Sequence, residues 1–386
     1  TLLRPFSGLS QWVITETCDL GIVPLMQANT AALQKVNGGD DLHDAGGTYR
    51  TPHPAGQWRA LMCSALNSRA SMDRLNAVLM KILVMGGTRF VGKPLVAKLQ
   101  EQGHSLTLFT RGRLPSPKGV ASLQGDRSVD ADLDQLKGHS FEVIIDSSGR
   151  TLDDSRRVLA VTGVPTHRFL YVSSAGVYAA SEQWPLHETD AIDPASRHSG
   201  KADTEQWLQE QGIPFTSFRP TYIVGPGNYN PVESWFFDRI VNDRPIPLPG
   251  SGETITQLGH AEDLAEAMAR SLEVDASCNR IYNCSASRGI TFLGLIEAAA
   301  VACGRNPDAL DLRPFDPSGL DPKARKSFPL RLSHFLTDTK RVRRELAWEP
   351  RFDACSCLVD SYQRDYKLRP TSEPDFSADL SLIGEI

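Results

Sequence analysis

Cysteine is scarce in this chain of 386 residues: there are seven, at positions 18, 63, 278, 284, 303, 355 and 357. An odd, scattered set without C-x-x-C spacing favours neither a disulfide framework nor a zinc site, and fits a reducing compartment. Cys355 and Cys357 stand two apart in a helical stretch and face different sides, which argues against shared metal ligation. Long hydrophobic runs are missing as well. No stretch approaches the ~18 to 20 unbroken apolar residues needed to cross a bilayer as a helix, so no membrane insertion is expected. A large charge of either sign is also lacking: the net charge is -5 and the pI about 6.0. The chain as a whole therefore does not attract polyanions, and any contact with nucleic acid must come from a local basic patch. No repeat of ~20 to 50 residues is visible, which excludes solenoids and propellers.

With 40% hydrophobic and 23% charged residues the composition is that of a globular protein,. Residues 1–79 show little periodicity. They carry Glu16, Asp19, Asp40, Asp41, Asp44 and Asp73, whereas a transit peptide is poor in acids, and no secretory apolar region is present,. This segment reads as a poorly structured extension, with the native start expected at or near Met80. From Lys81 short apolar or β-branched runs alternate with amphipathic stretches, the pattern of parallel βαβ units. Strands are expected at 82–85, 105–109, 120–123, 143–146, 169–173 and 215–218. After Pro220 the chain becomes rich in Pro and Gly and then adds helices near 262–272, 291–303 and 337–346. The fold class is α/β: a Rossmann-type doubly wound parallel sheet over 80–370, with a smaller C-terminal substrate-side lobe at about 221–350 and a tail at 371–386.

Gly86-Gly87-Thr88-Arg89-Phe90-Val91-Gly92 follows the first strand and opens a helix over 91–102. In that context glycines let the backbone approach a pyrophosphate, and free N–H groups at the helix start attract it. Arg89 stands where the usual pattern has its middle glycine; the alternatives are a guanidinium that pairs with phosphate and a tight turn that binds nothing. The second strand ends in Thr110-Arg111-Gly112-Arg113, without an acid for ribose hydroxyls. Arg111 or Arg113 suits a 2'-phosphate, so NADP is favoured over NAD if either binds; the alternative is an ordinary solvated basic loop. Asp126 sits where an acid often grips adenine, or serves as a turn residue.

The fifth strand ends in Ser173-Ser174-Ala175-Gly176-Val177-Tyr178, and Arg197-His198-Ser199-Gly200-Lys201 follows. An extended short-chain dehydrogenase carries Tyr-x-x-x-Lys at the second block. Ser174 falls where these enzymes hold a substrate carbonyl, and Lys201 and Glu205 lie four apart on one helix face. Ser174 and Lys201 are the candidate catalytic remnants. With Ser173 and the glycine loop, Lys201 is also a candidate cofactor contact. The tyrosine is replaced by Arg197, which has no acceptor and stays protonated. Loss of a general acid-base group costs typically ~10² to 10⁴ in rate. His198 titrates in the right range and is weighed as a substitute against a surface or capping role.

These blocks, with Gly225-Pro226-Gly227-Asn228-Tyr229-Asn230-Pro231-Val232-Glu233-Ser234-Trp235-Phe236-Phe237 and Gln257-Leu258-Gly259-His260, resemble the chloroplast stem-loop-binding proteins and their cyanobacterial relatives. The resemblance covers about 80–366. It implies a dehydrogenase-type fold repurposed for RNA: binding of stem-loop transcripts and ribosomal RNA, stem-loop endoribonuclease activity, and a role in plastid or cyanobacterial gene expression. The frame also fits the NAD-dependent epimerase/dehydratase class, so a nucleotide-sugar epimerase or dehydratase with an atypical acid is the competing reading. A scaffold that assembles with partners, as a homo- or hetero-oligomer, and catalyses nothing is the third.

The segment 323–344 supplies candidate RNA contacts in Lys323, Arg325, Lys326, Arg331, Lys340, Arg341, Arg343 and Arg344, with Phe328, His334 and Phe335 interleaved for stacking,. The alternative is an ordinary basic C-terminal helix of a sugar-nucleotide enzyme. A nuclease would call for an acid and base or for Mg held by carboxylates, and no such set can be assembled; no metal ligands are assigned. The acids of 1–79 lean the location toward a cyanobacterial cytoplasm, with the chloroplast stroma as the alternative for a plant or alga.

Overall fold

The computed structural model describes residues 79–370 and 373–384. The expectations for 1–78 lie outside the described residues. The order of elements begins with β1 (Lys81–Met85), α1 (Gly92–Glu101), β2 (Ser105–Thr110), β3 (Ala121–Gln124), β4 (Val143–Asp146), α2 (Leu152–Thr162), β5 (Arg168–Val172), α3 (Ser199–Glu210) and β6 (Phe215–Arg219). It continues with β7 (Tyr222–Val224), α4 (Glu233–Val241), β8 (Ile246–Pro249), β9 (Ile255–Thr256), β10 (Leu258–His260), α5 (Ala261–Ser271) and β11 (Arg280–Asn283). Last come β12 (Ile290–Thr291), α6 (Phe292–Ala302), β13 (Leu312–Phe315), α7 (Lys340–Glu345) and α8 (Ala354–Arg364), with single helical turns between some of them.

Seven strands form one parallel sheet in the order β11-β6-β5-β4-β1-β2-β3. The central strands are continuous apolar runs because helices cover both faces. Ile82, Val84 and Ile145 pack on one side with Leu95, Val96 and Leu99 of α1 and Leu264 and Met268 of α5. Leu83 and Ile144 pack on the other side with Val158 and Leu159 of α2 and Leu208 of α3. β3 is mostly exposed, as an edge strand can be,. The Thr151 side chain and Asp154 form a reciprocal cap that starts α2,. Strand order reverses between β1 and β4, which opens a crevice at their carboxyl ends, the usual place for a ligand in such sheets.

The six expected strands are present, β3 shifted by one residue. β11 was not expected; it is four residues long and only its second half is buried, too little for a periodic signal,. The helix expected at 337–346 is confined to α7, since Thr337 is bonded to Gln257 and the Asp338 amide to the Leu186 carbonyl instead. The lobe after β6 has its own core of Trp235, Phe236, Phe292, Phe315 and Phe328. Residues 376–383 pack against it through Leu382 and through a buried ion pair between Asp379 and Arg239.

Candidate functional site

The β1–α1 turn is built for close approach. Gly86 and Gly87 have φ of +105° and +98°, and a methyl group on Gly92 would lie 2.6 Å from the Gly87 Cα. These positions are closed to other residues without a shift of backbone. Among the described residues, the N–H groups of Gly87, Thr88, Arg89, Phe90 and Val91 have no protein acceptor, a donor set suited to an anion,. Arg89 does not point along this set. Its guanidinium lies 4.4 Å from the ring centroid of Tyr229, and Phe90 meets the same ring edge-on at 6.1 Å. The Gly225 to Asn230 loop is fastened by Asp365, which accepts from the Gly227 amide at 2.7 Å, and by Arg369, which donates to the Asn228 carbonyl at 3.2 Å. Two sequence oddities, Arg89 and the Asn-Tyr-Asn-Pro run, are thus one contact. Nothing in their spacing announces it.

Arg111 and Arg113 are exposed beside Asp126, whose carboxylate is held below its usual range chiefly by hydrogen bonds from Ser128, with a smaller contribution from the two arginines. Asp126 Oδ1 accepts from the Ser128 amide and hydroxyl at 2.9 and 2.7 Å, the geometry of a turn residue,. The next residue matters more to the crevice floor. Arg127 makes a bidentate pair with the fully buried Asp146, at 2.7 and 2.8 Å. Asp146 also accepts from Ser155 Oγ at 2.9 Å and from the Gly149 amide at 2.8 Å. Burial pushes this carboxyl upward, but Arg127 and the hydrogen bonds outweigh it and bring it to about 2. Sequence reasoning missed this pair. An acid at the end of an apolar strand and an arginine after β3 were its only signs.

Ser174 and Lys201 are brought to the carboxyl end of β5. Lys201 Nζ donates to the carbonyls of Val172 at 2.6 Å and Gly149 at 2.9 Å, tying the end of β5 to the turn after β4. Burial pulls its ammonium down to about 8, against the attraction of Asp146 and Glu205. Glu205 does not assist it directly: the carboxylate is buried in an ion pair with Arg219 at 2.6 Å and accepts from Ser217. Ser174 Oγ accepts from the Gly176 amide at 3.0 Å. Among the described residues the buried Ser173 Oγ has no hydrogen-bond partner.

Gly176 is the hub of the site. A methyl group there would lie 2.4 Å from His198 Cδ2 and 3.0 Å from Ser174 Oγ, so the ring and the hydroxyl meet above it. Its carbonyl accepts from Ser196 Oγ at 2.7 Å and from Arg331 at 3.0 Å. Arg197 is exposed and donates from Nε to His198 Nε2 at 3.0 Å. Burial, and then the positive charges of Arg197, Lys201, Arg331 and Arg150, push His198 down to about 4. A neutral imidazole whose Nε2 already accepts from Arg197 is no substitute for a phenol that gives a proton.

The basic segment divides in two. Lys340 pairs with Asp338 at 3.3 Å, Arg341 with Glu188 at 3.7 Å, Arg343 with Glu349 at 2.6 Å and Arg344 with Glu345 at 3.1 Å. Among the described residues Lys323, Arg325, Lys326 and Arg331 have no carboxylate partner; Arg325 donates to the Phe328 carbonyl, Arg331 to that of Gly176. The stacking role expected for the interleaved rings does not hold for Phe328 and Phe335. Both are buried, Phe328 against Trp235 and Phe236, Phe335 against Tyr222. His334 is turned onto Trp184, and its Nδ1 accepts from the Ile255 amide. Burial of apolar rings outweighed their placement among cations. Among the described residues, Tyr229 is an exposed aromatic ring.

The family model described as NAD dependent epimerase/dehydratase family matches residues 82–285. The chloroplast stem-loop binding protein of 41 kDa b of Arabidopsis thaliana is 41% identical over 324 residues, which cover 79% of this chain and 84% of that protein. Among solved structures, UDP-glucose 4-epimerase of Thermotoga maritima with UDP-glucose superposes with a TM-score of 0.62 at 19% identity, over 75% of this chain and 99% of that one. A Bordetella bronchiseptica enzyme in complex with NAD+ gives a TM-score of 0.60 at 18% identity, over 74% of this chain and 98% of its own. At these identities the structures establish the fold. The chain belongs to the NAD dependent epimerase/dehydratase family and is a homologue of the chloroplast stem-loop binding protein of 41 kDa.

Proposed function

We propose that this protein binds RNA, with a preference for stem-loops, on a scaffold inherited from an NAD(P)-dependent epimerase, and that its redox chemistry is retired. The observation that carries the reading is Arg197. It occupies the position of the proton-transferring tyrosine, is exposed, and donates to a histidine that stays neutral near physiological pH. A site with Ser174 and Lys201 but no transferable proton between them cannot run the family's acid-base step at a useful rate. The relative's name, a stem-loop binding protein of the chloroplast, supports RNA as the partner and a plastid stroma, or the cytoplasm of a cyanobacterium, as the place. Cleavage of the bound stem-loop is the finer part of the proposal, with Mg as its metal if carboxylates recruit one.

The residues fit a dinucleotide in part. The open amides of 87–91, the two positive-φ glycines, the unpartnered Ser173 hydroxyl and the exposed Arg111 and Arg113 would hold a pyrophosphate and a 2'-phosphate,. Bound there, NADP would supply hydride chemistry; in this reading it serves as a ligand. Arg89 at the middle glycine position is the departure from the pattern. The experiment is a gel shift with a stem-loop RNA across a salt series, beside an assay of nucleotide-sugar turnover with NAD(P). Binding whose logarithm falls linearly with log salt, with no turnover, is the expected result. Turnover that disappears in Lys201→Ala would establish the epimerase or dehydratase reading instead.

A further inference from the structure

The four arginines Arg150, Arg197, Arg325 and Arg331 reach the same place from separate parts of the chain. Arg150 follows β4, Arg197 precedes α3, and Arg325 and Arg331 come from the lobe. Two of them are fixed by contacts around Gly176: Arg331 holds its carbonyl, and Arg197 holds the His198 ring that lies on its Cα. Tyr222 joins the lobe side, since its hydroxyl accepts from the Arg331 amide at 2.8 Å. Arg150, Arg197 and Arg331 all act on the His198 charge, and Arg325 feels Arg197 and Arg331 through space. Among the described residues none of the four has a carboxylate partner, whereas the cations of α7 are paired. Like charges gathered around one ring and one carbonyl repel one another unless a counter-charge completes the cluster,. Arg150 and Arg197 are exposed, so the counter-charge can arrive from solvent on a large ligand.

We propose that the cleft above Gly176, where the family's substrate would sit, is the seat of an RNA backbone phosphate held by Arg197 and Arg331, with Arg150 and Arg325 engaging its neighbours. This rests on the RNA-binding reading and locates it in the former substrate cleft, away from α7. Planar guanidinium forks bind phosphate oxygens in pairs, and a continuous polyanion meets four cations that a single diphosphate would leave partly uncompensated. The replacement of tyrosine by Arg197 thereby removes an acid and adds a phosphate ligand in one step.

The test compares the full chain with Arg197→Gln, Arg325→Gln and Lys118→Gln in gel shifts with one stem-loop RNA over a salt series. Lys118 precedes β3, at the opposite edge of the sheet. Each cleft variant is expected to weaken binding about tenfold at moderate salt and to lower the salt slope by about 0.7 to 0.9, the share of one phosphate contact. Arg197→Lys should recover most of the slope, and Lys118→Gln should match the parent. Thermal unfolding of each variant verifies that the fold is kept. If the parent binds with a steep slope and both cleft variants bind equally well, the cleft assignment falls while the RNA reading stands. If the parent shows no salt-dependent binding, the RNA reading itself falls. UDP-glucose binding that is lost in Arg197→Gln while RNA binding is unchanged would assign the cluster to a nucleotide sugar and overturn the proposal.

Discussion

Burial of the His198 ring opposes a second proton, and the surrounding cations, Arg197 first among them, add to that. Its folded pKa, about 4, lies below the ordinary 6.5, so the folded state binds fewer protons than the unfolded chain between those values. Its contribution to stability is therefore present above about pH 6.5 and is lost as pH falls toward 4. An NMR titration of the ring protons should show His198 neutral at pH 6, with its midpoint near 4; an ordinary midpoint near 6.5 would contradict the burial of this ring among cations. Asp146 follows the same direction by a different cause, with its stabilisation present above about pH 4 and lost toward pH 2 as Arg127 loses its partner charge,. Asp146→Ala leaves the half-buried Arg127 with only the longer ion pair to Asp154, at 3.7 Å, takes the acceptor from Ser155 Oγ and the Gly149 amide, and should cost about 3 kcal/mol in denaturant unfolding,. Neither role is visible in the sequence. His198 is identified only by its neighbour, and Asp146 only by a residue nineteen positions away that folding brings to it.

At the scale of elements, the first half is legible because the central strands β1 and β4 are short apolar runs, each followed by a helix of mixed polarity,. The lobe is harder to read. Its strands are two to four residues long and pair with distant partners, β7 with β10 and β8 with β13, so no local period marks them. The same limit explains the basic segment: alternation of cations and rings does not say which rings turn inward. Phe328 is a core residue, and Phe328→Ala should cost about 3–5 kcal/mol of stability. RNA affinity measured well below its unfolding midpoint should stay at the parent value. The β1–α1 turn makes a matching prediction. Gly92→Ala forces a methyl group against the Gly87 backbone and should destabilise by about 1–3 kcal/mol, read as a lowered midpoint in thermal or urea unfolding,.

For the whole molecule, an acidic chain and the proposed RNA partner are reconciled by where the charges are spent. Most cations of the C-terminal region are neutralised in pairs, such as Arg343 with Glu349 and Arg364 with Glu262, while those around the cleft are left open. The fold keeps the crevice, the glycine turn and the lobe of an epimerase, and alters what faces the ligand: Arg89 stacked on Tyr229 at one side, Arg197 above Gly176 at the other. Ultraviolet crosslinking of the protein to a stem-loop RNA, followed by peptide mapping, tests this most directly. The account predicts crosslinked peptides that contain Tyr229, His198 and the 325–335 segment. Crosslinks confined to the 340–344 helix, or none above the level of an unrelated acidic protein, would contradict it.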